Sequence, residues 1–238
     1  MPPQPNSAMT WVQVNRYMQT HRHPPRQRSR WSRRRYVATF APSRALGQQA
    51  AQAVHELGLQ QHPQVVVADG AHWIKKEAST HFPHAECILD WPHLWRTVRK
   101  AANAVGALTK HPQEEQARLV SQLSTWLWKG EVEKAQAQLK QRRRELADQP
   151  SQRLAALRQA IIYLDKQRDW IGSYEHWKQK GYPVGSGIIE RAVSLVINRR
   201  MKRRGMRWLR AHATAVVALR VDMLNHDWQL PVPARGFP

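Results

Sequence analysis

Val65-Val66-Val67-Ala68 is a run of four apolar residues closed at once by Asp69-Gly70. A run this short, rich in β-branched side chains and bounded by a turn dipeptide, reads as a strand buried on both faces. Such strands belong to α/β proteins, where helices cover the sheet. Ala85 to Leu89 reads as another strand and ends in Asp90, with a brief helix expected between the two runs over Ala71 to Thr80.

Upstream, Trp11 to Met18 alternates apolar and polar residues as a strand does, and Tyr36 to Phe40 forms a second strand-like run. The connector His21 to Arg35 holds Pro24, Pro25 and many arginines, so it cannot be one regular element throughout. Ser43 is expected to cap a helix reaching Leu57, with Gly58 as its stop. Helical periodicity resumes at Leu94, and a region rich in Gln, Lys and Arg between about Gln113 and Ser173 reads as two or three helices. The order is β-β-α-β-α-β followed by helices, with no internal repeat. The expected divisions are a disordered N-terminus over residues 1–10, the first part of an α/β domain over 11–112, a helical insertion over 113–178, a C-terminal helix with a basic segment over 179–228, and a tail over 229–238.

Charge narrows the partners. The 238 residues carry 38 Lys and Arg against 17 Asp and Glu, a formal net charge of +21. A surface so positive calls for a polyanion, and nucleic acid is the leading class. Anionic membrane is the weaker partner, because the chain has no apolar run of about 18 residues and no signal-like apolar core. A cytoplasmic, nucleoid-associated protein is therefore expected. Cys87 is the single cysteine, which excludes an internal disulfide and a Cys-rich zinc site and suits a buried small hydrophobe. Most of the 11 tryptophans should pack within helices, and a few beside Arg or Lys could stack on bases.

Three acids stand where chemistry could occur. Asp69 and Asp90 each end a strand, the edge at which α/β proteins bind ligands. Asp69-Gly70 also reads as an ordinary turn pair. Asp90 heads Asp-Trp-Pro-His, so Asp90 and His93 could reach one ion, or Asp90 could cap the helix beginning after Pro92. Glu190 follows Gly185-Ser186-Gly187, glycines that allow a tight, unhindered backbone, and lies in the first turn of a helix, where the macrodipole alone favours a carboxylate. Beyond it, Arg199, Arg200, Lys202, Arg203, Arg204, Arg207 and Arg210 form a cationic wall with no interleaved acid. Such runs are often only solvated surface. The overall charge and the neighbouring carboxylate favour phosphate contact instead.

Taken together, Val66 to Ala71 with Trp73-Ile74, Phe82 to Ala85, Ile88 to His93, and Gly185 to Gly187 with Glu190 and Arg203 to Trp208 resemble bacterial insertion-sequence DDE transposases. The nearest likeness is to the ISKra-type group, distantly similar to mutator-type enzymes, and it covers about Trp11 to Trp228. The resemblance implies an RNase H-like mixed sheet with a helical insertion. It implies an Asp-Asp-Glu set holding two divalent ions, Mg2+ or Mn2+, that cleaves insertion-sequence DNA and transfers the strand, and a multimer holding two DNA ends. On that mapping Asp69 is the second acid and Glu190 the third. Asp90 and His93 match an accessory Asp-x-x-His at the wall of the site. The first strand and its Asp would lie upstream of Met1, since no acid precedes Glu56. The alternative expectation is a catalytically inactive nucleic-acid-binding remnant of a transposase.

Overall fold

The computed structural model describes residues 10–17, 31–202 and 204–226. These fall into two compact units, one made of Pro63–Ala78 and Pro83–Ser186, the other of the described residues within Met1–His62, Ser79–Phe82 and Gly187–Pro238. Chain order runs β1 (Thr10–Tyr17), β2 (Trp31–Thr39), α1 (Ser43–Glu56), β3 (Val65–Ala68), α2 (His72–His81), β4 (Glu86–Leu89) and α3 (Trp91–Gly106). Helices follow: α4 (Pro112–Trp128), α5 (Val132–Glu145), α6 (Ala155–Gln167), α7 (Tyr174–Gln179), α8 (Gly187–Val193), α9 (Arg199–Met201) and α10 (Arg210–Asn225). The expected order of strands and helices is the observed one. The protein is mixed α/β and mostly helical, and its strands join in two pairs, β1 antiparallel to β2 and β3 parallel to β4.

In the unit holding β3 and β4, the core is built by helix faces with regular spacing. On α3, Leu94, Val98, Ala101, Ala102 and Val105 are all buried, one stripe at intervals of three and four. The two alanines let neighbouring helices come close. Leu119, Leu123 and Leu127 of α4, and Leu157, Ala160, Ile161 and Leu164 of α6, join the same cluster with Ile88 and Leu89 of β4. The helices read from sequence as an insertion thus share one core with the parallel strand pair. At about 25 cal/mol per Å2, each fully buried leucine contributes roughly 2 kcal/mol before entropy is counted.

The other unit pairs β1 with β2 from Thr10↔Thr39 to Tyr17↔Trp31, with an irregularity at Arg16/Tyr17. β2 begins at Trp31, inside the arginine-rich connector. Strand pairing overrides composition there, because the ladder satisfies backbone groups whatever the side chains. The free edge of β2 is covered by one side chain: Tyr36 N–H donates to Asn225 Oδ1 at 2.7 Å, and Asn225 Nδ2 donates to the Tyr36 carbonyl at 3.0 Å. Asn225 so stands in for a strand neighbour. Val196, Ile197, Met201, Ala213 and Val217 form this unit's buried cluster, with Ala38 and Phe40 packed against it. Helix α1 starts after Pro42, which makes no side-chain cap. Ser43 is the first helical residue rather than the cap, because Pro42 already holds an extended conformation (φ −54°, ψ 156°). Gly58 does end the helix, at φ 66°.

Candidate active site

The register of β3 and β4 fixes the geometry around two of the three acids. Ala68 pairs with Leu89, so Asp69 and Asp90 leave adjacent parallel strands at the same carboxyl edge. Neighbouring strands lie about 4.8 Å apart, and Asp90 N–H donates to the Ala68 carbonyl at 2.7 Å. Asp69 is exposed, and its Oδ1 accepts the Ala71 N–H at 3.0 Å in an Asx turn. Gly70 makes that turn at φ 77°, where other residues are strained. A Cβ there would also stand 2.3 Å from Gln167 Oε1. Gln167, buried on α6, donates from Nε2 to the Gly70 carbonyl at 2.9 Å. Asp69 is thus both a turn residue and an exposed carboxylate on a rigid base.

Asp90 has the opposite environment, with no exposed surface. Its Oδ2 accepts the His93 N–H at 3.1 Å and also meets His93 Nδ1. Its Oδ1 accepts the Ser186 N–H. It is the N-cap of α3, which begins at Trp91, one residue before Pro92. The Trp91 N–H donates to the Val184 carbonyl at 3.0 Å, so the segment 184–186 is held at the start of α3 by two hydrogen bonds. Three donors occupy a carboxylate that water cannot reach. Asp90 therefore offers little lone-pair capacity to a cation, and His93 is the partner it orients.

Two tyrosines complete the surroundings of this edge, and nothing in the sequence pattern singled them out. Tyr163 of α6 has its phenol pushed up to about 12, first by burial and then by the negative charges of Asp69 and Asp90. Tyr174, buried on α7, donates its hydroxyl to the Leu89 carbonyl at 2.8 Å, and burial raises its pKa as well. Tyr174 packs edge-on against Trp91 and Trp177, with centroids at 4.8 and 5.1 Å, and stacks on Trp128 at 5.7 Å. The Gln167 bond to the Gly70 carbonyl ties α6 to the strand edge. The only sequence signal was the helical spacing of Tyr163 and Gln167, four residues apart on one face.

Glu190 and the cationic residues belong to the other unit. Glu190 is exposed in the first turn of α8, as its spacing predicts. Neither Gly185 nor Gly187 takes a left-handed φ, and a Cβ on Gly187 would meet nothing within 4 Å. The chain bends at Gly185-Ser186, and a Cβ on Gly185 would stand 3.4 Å from Pro92 Cδ, so the close approach expected there is made without a left-handed φ. Helix α8 passes into a π-helical turn, Ser194–Asn198, and then α9. Arg199, Arg200, Lys202, Arg204, Arg207 and Arg210 are all exposed. Arg203 lies outside the described residues. Arg210 Nη2 donates to the Phe40 carbonyl at 3.0 Å, so that guanidinium is anchored on its own unit. Trp208, 40% exposed, donates its indole N–H to the Met201 carbonyl at 3.1 Å.

The strand edge offers few donors to a metal. Asp69 has an open carboxylate oxygen; Asp90 is saturated. Among the described residues no group of three His, Cys, Asp or Glu side chains is arranged to hold an ion. Asp69 can serve as one ligand, and the edge alone does not make a complete metal site.

Residues 14–182 match the profile of transposases of the DDE ISL3 type. The chain belongs to this transposase family. The matched span includes Asp69, Asp90, His93, Tyr163 and Tyr174 and ends before Glu190 and the cationic run. The profile carries the ISL3 name, where the motifs resembled the ISKra-type group; both readings are insertion-sequence DDE transposases. DDE transposases generally act on DNA and use divalent metal ions. No curated protein and no solved structure matches the chain. Among the described residues no helix is long and apolar enough to cross a membrane.

Proposed function

We propose that this transposase binds the ends of its insertion sequence and takes part in metal-dependent strand cleavage and transfer, in the cytoplasm at the nucleoid. Asp69 and Glu190 are the carboxylates that hold the divalent ions, magnesium or manganese, two in a full site. When bound, such ions polarise the phosphate and lower the pKa of the attacking water. The observation that carries the reading is Asp69 itself, an exposed carboxylate on a rigid turn at the carboxyl edge of a half-buried parallel strand, inside the matched span. Asp90 and His93 form the wall of the site rather than its ligands, since three donors already occupy the buried Asp90 carboxylate. The β-β-α-β-α-β order supports an RNase H-like reading of the fold, with 113–178 as its helical insertion and 179–228 as its C-terminal catalytic and basic segment. Arg199, Arg200, Lys202, Arg203, Arg204, Arg207 and Arg210 contact DNA phosphates, and strand transfer between two ends calls for a homo-oligomer.

A second reading, DNA binding without cleavage, is favoured by one observation: three donors occupy the buried Asp90 carboxylate, so of the two acids at the strand edge Asp69 alone is open to an ion. One experiment separates the two. The purified chain is incubated with magnesium and a duplex carrying its element's end, beside the Asp69→Asn and Glu190→Gln variants. Cleavage by the parent that falls about a thousand-fold in both variants supports the enzyme. Tight binding with no cleavage by the parent supports the second reading, and no binding by the parent refutes both.

A further inference from the structure

Arg199, Arg200 and Arg220, with Asn198, line a cleft of about 520 Å3 beside the π-helical turn. Among the described residues, three of the four lining side chains are guanidinium groups and none is acidic. Guanidinium groups gathered in one concavity make a positive field that attracts an anion.

The cleft is partly built before any ligand arrives. Arg220 on α10 donates from Nη2 to the Leu195 carbonyl at 3.0 Å, inside the π-helical turn. That bond fixes the guanidinium plane, so less side-chain freedom is lost on binding. Its Nε is buried and has no hydrogen-bond partner among the described residues. Arg200 is exposed and makes no hydrogen bond or ion pair among the described residues. The π turn adds a cause for the grouping. An extra residue in a helical turn shifts every following side chain around the axis, and the turn ends at Asn198, immediately before the two arginines.

We propose that this cleft is a phosphate-binding site that seats one or two backbone phosphates of duplex DNA, with Arg220 as its anchored member and Arg200 as its mobile one. Arg220 lies outside the cationic run of residues 199–210 and is brought to it only by the fold. The proposal rests on the reading of the chain as DNA-binding and names where on this unit the backbone sits. A planar guanidinium suits a phosphate because two N–H groups can meet two oxygens at once. Duplex DNA is favoured over an anionic membrane because the described lining side chains, Asn198, Arg199, Arg200 and Arg220, are all polar.

The test is binding of a fluorescent duplex of arbitrary sequence to the full chain, measured by anisotropy across about 50 to 200 mM salt. Each phosphate contact contributes about 0.9 to the slope of log affinity against log salt, which at 0.1 M salt is roughly eight-fold in affinity. Arg200→Gln and Arg220→Gln are each expected to weaken binding by roughly eight-fold and to lower the slope by about 0.9. Lys134→Gln, an exposed change on α5 in the other unit, should leave both at the parent values. If Arg220→Gln disturbs its own helix, Arg200→Gln still decides, because that side chain supports nothing else. Parent affinity and slope in Arg200→Gln and in a folded Arg220→Gln would overturn the cleft. So would variants that lose binding to vesicles of anionic lipid and keep it for duplex. Failure of the parent itself to bind duplex would instead remove the DNA-binding reading on which the cleft depends.

Discussion

Replacing Asp90 with alanine removes one acceptor from three donors, and the structure allows the loss to be apportioned. The His93 N–H loses its helix cap, at about 1 kcal/mol. The Ser186 N–H, paired to a carboxylate with no exposed surface, loses a partner that water cannot readily replace, at about 1.5 kcal/mol. His93 Nδ1 sits on a side chain 35% exposed and can turn to water, so its share is discounted to about 0.5 kcal/mol. The sum, about 3 kcal/mol, corresponds to a Tm lower by roughly 6 to 12 °C for a chain of this size. Asp90→Asn keeps an acceptor for Ser186 or for His93 but not for both, and should fall by about half as much. Thermal unfolding followed by circular dichroism, without added metal, is the assay. The reasoning is refuted by an Asp90→Ala Tm equal to the parent's or higher, the result expected if Asp90 were a free carboxylate repelled by Asp69 and waiting for a cation.

Tyr163, with its phenol held near 12 against an ordinary 10, keeps its proton longer in the folded state. The stability it supplies is fully present below about pH 10 and is lost as pH rises through about 12; phenolate absorbance of the parent minus Tyr163→Phe should show that late titration, and Asp69→Asn should bring it earlier. Gly70→Ala meets both a left-handed φ and Gln167 Oε1 at 2.3 Å, and should cost about 2 to 4 kcal/mol in urea unfolding. Adding Gln167→Ala should not make that loss additive, because the clash partner is gone. Tyr174→Phe deletes only the hydroxyl bonded to Leu89 and should cost about 1 kcal/mol, measured the same way. Charge reversal at Arg204 and Arg207 should weaken duplex binding for all sequences and flatten its salt dependence by about 0.9 for each phosphate lost.

Local chemistry was legible where it acts over a few residues. The apolar run at Val65 and the alternation at Trp11 gave strands to within one residue, because β-branched runs and a period of two are written directly into the chain. Helix starts were less legible: Ser43 has the side chain of a cap, yet Pro42 takes the capping position without using one. Contacts across long separations left no trace. Ser186 lies 96 residues from the aspartate that accepts its N–H, and Asn225 lies 189 residues from the strand edge it covers. The π-helical turn at Ser194–Asn198 has no Gly or Pro to announce it, and Arg220 reads in sequence as one more surface arginine of α10.

Asp69 and Asp90 show how one following residue divides two acids that look alike. Each ends a partly buried parallel strand, and their strand positions are in register. After Asp69 comes Gly70, whose φ of 77° turns the chain away at once and leaves the carboxylate exposed, with a single backbone N–H to satisfy. After Asp90 come Trp91 and Pro92, which enter a helix immediately; Pro92 supplies no N–H of its own, and the carboxylate folds down onto His93 as the cap. Trp91 then packs against Trp128 and Tyr174, at 4.8 Å in each case, and closes the aromatic layer beside Asp90. The same edge thereby acquires one carboxylate available to a ligand and one consumed by the fold. A glycine placed at position 91 would test that division, since it would remove the aromatic cover without touching the carboxylate. Asp90→Ala should then destabilise a Trp91→Gly background by less than it destabilises the parent, because water could reach the Ser186 N–H. Equal losses in the two backgrounds, in paired thermal unfolding, would mean that the aromatic layer is not what keeps Asp90 dry.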